Sequence, residues 1–257
     1  GATLAIKDMD GNIVTTWVST DEPHRVTGLH FGESYTLTEI RAADGYALAD
    51  NITFRLIQKT DEGGNPLEEC EVYYLTTKNI LFWKWDDWRL LDDATVIMRD
   101  DITKVQISKK DLTTKEELPG AELTLTDEKG NEIDRWVSTD APHYMERLPA
   151  GKYTLTEVTA PDGYAIAERV EFEVLPTGEV QTFEMFDDTI KVKISKVDIT
   201  TNKELPGAEL IITNKDGKKI DHWVSTDKPH YIEKLPAGEY TLTEITAPDG
   251  YDIAESI

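Results

Sequence analysis

A lysine, a glutamate and an aspartate each end an apolar row in a strand-like segment of this chain. In KVQISKKD, from Lys104, the residues Val105, Ile107 and Lys109 share one face of an extended strand, while Gln106, Ser108 and Lys110 point the other way. In YTLTE, from Tyr153, the apolar row is Tyr153, Leu155 and Glu157, with Thr154 and Thr156 outward. In the segment from Phe183 it is Phe183, Met185 and Asp187. Burying three ionisable groups singly would cost several kcal/mol each, so they must meet or be paired.

Two outcomes satisfy that demand, and the pattern by itself does not choose between them. One is a buried salt-bridge triad. The other is a reaction, because burial disfavours charge and brings neutral amine and neutral acid within reach together. The Lys109 amine would attack the Asp187 carboxyl while Glu157 shuttles protons and polarises the carbonyl. Water leaves, and the amide that forms has no charge to bury.

The elements that must position these residues come from internal repetition. WVSTDEPH, WVSTDAPH and WVSTDKPH start at Trp17, Trp136 and Trp223, and YTLTEIRAADGY, YTLTEVTAPDGY and YTLTEITAPDGY start at Tyr35, Tyr153 and Tyr240. Glu157 and Glu244 are 87 residues apart, whereas Glu39 and Glu157 are 118 apart, so the first copy carries about 31 extra residues. The segments are short, alternate apolar with polar, and are rich in Thr, Val, Ile and Tyr between Gly, Pro and Asn/Asp turns. MDGN, EKGN and KDGK read as hairpin turns. No helical period is sustained. The expected class is all-β: three tandem immunoglobulin-like β-sandwich modules over residues 1–100, 101–188 and 189–257.

The middle copy alone is complete in this reading. Copy one lacks the opening strand that copies two and three have as KVQISKKD and KVKISKVD, and copy three stops before the closing strand. The first residue is Gly1 rather than Met, so the chain reads as a fragment of a longer array, and the missing signal peptide says little.

Composition narrows the partners. The chain has 257 residues, 39% hydrophobic and 30% charged, an ordinary globular balance. A formal net charge of −23 argues against nucleic acid and anionic membrane. No apolar run is long enough to span a bilayer. Cys70 is the single cysteine, so no intrachain disulfide can staple these small modules, and something else must do so if they are secreted.

The modules resemble the collagen-adhesin B-type domains (Cna B-type, SpaA-like, prealbumin-like) of Gram-positive surface proteins and pilins. The resemblance rests on ISKKD (Ile107–Asp111), ISKVD (Ile194–Asp198), the LPGAEL segments and YTLTEVTAPDGY, which is similar to the pilin E-box. It covers nearly all the chain outside residues 57–95. It implies a prealbumin-like sandwich and an intramolecular isopeptide bond between an opening-strand Lys and a closing-strand Asn or Asp, assisted by the E-box Glu. Carried over by motif, these are Lys109, Asp187 and Glu157. Copy one keeps Glu39 and Asp100 without the lysine strand; copy three keeps Lys196 and Glu244 without an acceptor. Neither closes its own bond, although the open first copy could take a KVQISKKD-like peptide that reacts with Asp100.

Other signals weigh less. LPTG at Leu175–Gly178 lacks a residue of a sortase signal and reads as a hairpin turn. DMDGN at Asp8–Asn12 superficially matches a calcium loop, but its equivalents lack the carboxylate spacing. His24, His143 and His230 recur with Trp17, Trp136 and Trp223 and read as packing, since no catalytic partners assemble around them. No cofactor or metal is expected. The insertion near 57–95 carries Trp83, Trp85 and Trp88 beside Tyr73, Tyr74 and Phe82. It reads as an extended hairpin completing the sandwich, or as a ligand face.

The resulting expectation is a non-enzymatic stalk or spacer of a surface adhesin or pilus-type protein, its only chemistry a single-turnover crosslink. It would lie outside a Gram-positive cell, anchored to the wall by sortase through parts beyond this chain. The alternative is a direct adhesin that contacts a host matrix protein or glycan through the aromatic insertion.

Overall fold

The computed structural model describes residues 1–80 and 83–257, with side chains described outside 78–85. Among these residues there are eighteen strands and no helix, in agreement with the expected all-β class. Two compact units form: Gly1–Gln106 with Tyr144–Tyr153 and Phe172–Phe183, and Ile107–His143 with Thr154–Glu171 and Glu184–Ile257. The middle repeat contributes chain to both.

In the first repeat a six-stranded antiparallel sheet runs β2 (Ile13–Val18), β1 (Thr3–Lys7), β3 (Ser34–Arg41), β4 (Ile52–Thr60), β5 (Pro66–Ile80), β6 (Trp83–Leu91). Its core is Ile6, Tyr35, Leu37, Phe54 and Val72, with Cys70, Tyr74 and Leu91 packed against it. Cys70, Val72 and Tyr74 alternate along β5, so the insertion continues the sheet by the period-two rule and seats the lone thiol against apolar neighbours.

The middle repeat has two sheets. One is β10 (His143–Glu146), β7 (Lys104–Asp111), β13 (Val180–Asp187); the other is β12 (Val170–Val174), β11 (Gly151–Thr159), β8 (Glu122–Asp127), β9 (Glu132–Val137). Ile107, Leu123, Leu125, Leu155 and Met185 are each at most 2% exposed, and this apolar layer has strands of both sheets on it. The third repeat pairs β14 (Lys191–Ile194) with β17 (His230–Glu233), and β15 (Glu209–Asn214) with β16 (Lys219–Val224) and β18 (Tyr240–Thr246).

The β8–β9 hairpin shows why the Gly-Asn turns recur. Asp127 Oδ1 accepts the N–H of Lys129 (2.9 Å) and of Asn131 (2.8 Å), and Gly130 takes φ +82°, a left-handed value that glycine tolerates. Asp8 is engaged in the same way by Asn12, so its carboxylate is a turn-former. LPTG differs from the sequence expectation. It lies between β12 and β13, but these belong to different sheets, so it is a crossing between sheets and not a hairpin turn. The Gln181 side chain fixes it, accepting from Leu175 N and donating to Leu175 O.

Candidate functional site

Strands β7 and β13 are neighbours in one sheet of the middle repeat, and β11 lies in the other. Lys109 on β7, Asp187 on β13 and Glu157 on β11 therefore converge across the apolar layer. They are 2%, 1% and 5% exposed, about as dry as the leucines around them. The Lys109 ammonium lies 3.0 Å from Glu157 Oε1 and is in contact with Asp187 Oδ1.

Each carboxyl keeps one oxygen uncommitted. Glu157 Oε2 accepts the Ala167 N–H at 2.6 Å, which fixes the side chain. Its Oε1 sits at ion-pair distance from Lys109 but off the hydrogen-bond axis, and Asp187 Oδ2 is buried without a hydrogen-bond donor. Burial pushes the Asp187 carboxyl up to about 6; Lys109 pulls it down, and the negative charge of Glu157 pushes it up again. An acid held near pH 6 spends part of its time protonated at neutral pH. That is the form in which its hydroxyl can leave as water.

The backbone holds the strand ends in place. Leu112 N donates to Asp187 O at 2.8 Å, and Leu118 N donates to Lys109 O at 2.7 Å. Lys110, one residue along, pairs with Glu184 at the surface.

The flanking repeats carry parts of the same arrangement. In the third, Lys196 Nζ donates to Glu244 Oε2 at 3.0 Å, and Ala254 N donates to that oxygen at 2.6 Å. In the first, Glu39 Oε2 accepts Ala49 N at 2.7 Å. Burial raises the Glu39 carboxyl, the Ala49 N–H lowers it, and the negative charge of Asp100 raises it further; Asp100 is itself raised by burial. The structure thus pairs Lys196 directly with Glu244, while Glu39 feels the charge of Asp100.

Two groupings were not anticipated from the sequence. Asp111, in phase with Lys109, accepts Thr113 N, Thr114 N and the Tyr164 hydroxyl, the last at 2.7 Å. The Tyr164 hydrogen bond is the largest cause of its lowering to about 2, and Thr114 N is next. The recurrence of Asp111 and Asp198 with Tyr164 and Tyr251 was the available signal. The histidines also do more than fill space. His143 stacks on Trp136 at 4.2 Å and meets Asp134 at 2.8 Å, and His230 repeats this with Trp223 and Asp221. His24 stacks on Trp17 at 4.5 Å, with Thr15 where the others have Asp.

In the insertion, the backbones of Trp83 and Trp85 lie on β6, while their side chains, and Phe82 altogether, fall outside the described residues. Trp88 is half-buried with the Arg55 guanidinium 4.3 Å over its ring, and Tyr73 flanks the same guanidinium at 5.6 Å. Among the described residues no cluster of His, Cys, Asp or Glu could hold a metal. None of them forms a helix long and apolar enough to cross a membrane.

Repeated all-β modules, each with a buried glutamate on the equivalent strand, define a class of prealbumin-like repeat protein. The profile of the SpaA prealbumin-like fold domain matches residues 1–64, 103–189 and 190–257, and the chain belongs to that family. Solved structures similar to it include the Bacillus anthracis TIE protein (20% identity, TM-score 0.41, covering 98% of this chain and 45% of that one). A streptococcal ancillary pilin matches at 18% identity and TM-score 0.32, covering 81% of this chain and 77% of that one. The shaft pilin SpaA of Lactobacillus rhamnosus GG matches at 14% and 0.32, covering 60% and 91%. The chain thus spans less than half of the first of these. No curated protein matches it.

Proposed function

We propose that the chain is a segment of a structural stalk on a Gram-positive cell surface, and that its middle repeat is closed by an isopeptide bond from Lys109 to Asp187. The observation that carries this is one buried lysine held between two buried carboxyls, Glu157 and Asp187, on strands that open, cross and close one sandwich. Such a cluster is costly as permanent charge in an apolar layer and costs nothing of that kind as an amide.

The reaction balances internally. The Lys109 nitrogen forms a bond to the Asp187 carboxyl carbon, and the bond from that carbon to its hydroxyl breaks. Glu157 Oε1 takes a proton from the amine and delivers it to the departing hydroxyl, and one water is released. Glu157 ends as it began, so it acts as a shuttle within a single turnover.

The crosslink spans 78 residues and joins the first and last strands of the repeat. By the loop-closure model used for disulfides this is worth roughly 4–5 kcal/mol. It also replaces the staple that a chain with one cysteine cannot make. In a stalk, tension along the chain would then pass through covalent bonds in this repeat. Intact-mass measurement of the 257-residue chain tests the bond. The expected mass is one water below that of the sequence, and E157A should restore the full mass.

A further inference from the structure

We propose that the glycine–tyrosine corner closing each E-box segment is a socket for a basic, left-handed residue of the following repeat, and that Gly250–Tyr251 offers this socket to one more repeat of the same kind. Two occupied copies of the joint stand in this chain. In the first, Thr103 N donates to Gly45 O (3.1 Å) and Arg147 N donates to Thr103 O (2.9 Å). The Arg147 guanidinium lies 4.7 Å over the Tyr46 ring and donates to its hydroxyl. In the second, Ile190 N donates to Gly163 O (2.8 Å) and Lys234 N to Ile190 O (2.9 Å). Lys234 Nζ lies 4.9 Å over the Tyr164 ring and donates to its hydroxyl at 2.7 Å.

Each partner accepts a constraint to make this fit. Arg147 and Lys234 take φ of 60° and 58°, left-handed values that are strained for a residue with a Cβ. Gly45 and Gly163 are left-handed too, and a Cβ on either would lie 2.6 Å from the carbonyl oxygen of Arg147 or Lys234. Only glycine allows that approach. The two aromatic–cation contacts then select Lys or Arg as the entering side chain.

The third corner is built the same way. Gly250 has φ +85°, and no described atom lies within 4 Å of its would-be Cβ. Tyr251 donates to Asp198 at 2.6 Å, as Tyr164 does to Asp111 at 2.7 Å, and is 45% exposed. The tyrosine is therefore oriented from within its own repeat before any neighbour arrives. The fitting partner is a repeat with Lys or Arg before a Leu-Pro-Ala loop, as at Arg147 and Lys234. The first repeat carries Gly28 at that place, four residues after its histidine, and so presents no cationic side chain there.

The sequence contains its own control. G163A and G250A in the full chain impose the same left-handed strain, but only G163A drives a methyl into a neighbouring carbonyl. Amide hydrogen exchange at Ile190 and Lys234 should quicken at least about tenfold in G163A and stay unchanged in G250A. Unchanged protection in G163A, or equal loss in both, would overturn the joint. Should G163A disturb folding, Y164F against Y251F gives the same comparison at the hydroxyl that Lys234 uses. For the open socket, the chain is continued after Tyr251 with a second copy of residues 165–257, which is in register because Tyr251 follows Tyr164 by 87 residues. The added Ile190 amide should be protected like the original, and G250A in the extended chain should release it. Equal exchange with and without G250A would refute the socket.

Discussion

Lys109 Nζ and Glu157 Oε1 lie 3.0 Å apart although their strands belong to different sheets of the middle repeat. That contact crosses the apolar layer of the sandwich, where the Coulomb attraction of an ion pair is strong but the loss of hydration is stronger still. Asp187 arrives beside the lysine from the neighbouring strand of the lysine's own sheet. The proposed bond thus runs within one sheet, with the proton carrier supplied by the other.

The crosslink should be visible as missing length. When the chain is pulled from its ends, residues 109–187 are locked out of the extension. At about 3.3–3.6 Å per residue, the 78-residue loop hides roughly 260 Å of contour length, which E157A should release. Equal contour lengths for parent and E157A would contradict the bond.

Adjacent lysines should behave in opposite ways. K109A removes the nucleophile and leaves Glu157 and Asp187 buried together, so it should lose the crosslink's roughly 4–5 kcal/mol and a further few kcal/mol for unpaired buried charge. K110A removes a surface pair with Glu184, worth about 1 kcal/mol or less, and should leave the mass deficit in place. Denaturant unfolding with mass determination of each variant checks both halves.

One water should be lost, and no more. The first repeat has Glu39 and Asp100 without the lysine, and the third has Lys196 and Glu244 without the acceptor. E39A and E244A should therefore leave the intact mass deficit at one water, while E157A abolishes it. A deficit that shrinks in E39A or E244A would show chemistry in the outer repeats.

The unlinked repeat should prefer mild acid. Burial holds folded Asp187 near 6, against 3.8 for the unperturbed group. Between these values the folded chain binds more protons than the unfolded one, so stability falls as pH rises through that window and levels off above it. In E157Q, which blocks the reaction, burial remains the main cause of the shift. The difference in melting temperature between E157Q and E157Q/D187N should therefore move against E157Q from pH 4 to pH 7. The shift corresponds to at most about 3 kcal/mol. Parallel curves would contradict it.

Much of this architecture is legible in the residues because strand side chains alternate with a period of two. Val105, Ile107 and Lys109 predict one face, and that face is buried; Tyr153, Leu155 and Glu157 do the same. The hairpins at Asp127 and Asp8 follow from the local Asp-x-x-Gly-Asn pattern, in which the Asp carboxylate accepts the turn's N–H groups. What escaped was set by distant chain. Asp111 meets Tyr164 across 53 residues, and no local pattern specifies that partner. LPTG looks like a hairpin because turn residues mark a reversal without saying which sheet the next strand joins. The basic residues at Arg147 and Lys234 read as ordinary loop charges until their neighbours' tyrosines are seen beneath them.

The most direct measurement is tandem mass spectrometry of a protease digest of the folded chain. The digest should contain a branched peptide in which the Lys109 side chain is joined to the Asp187 side chain with loss of one water. Linear peptides carrying free Lys109 and free Asp187 in full yield, or a branch at Lys110, would contradict it.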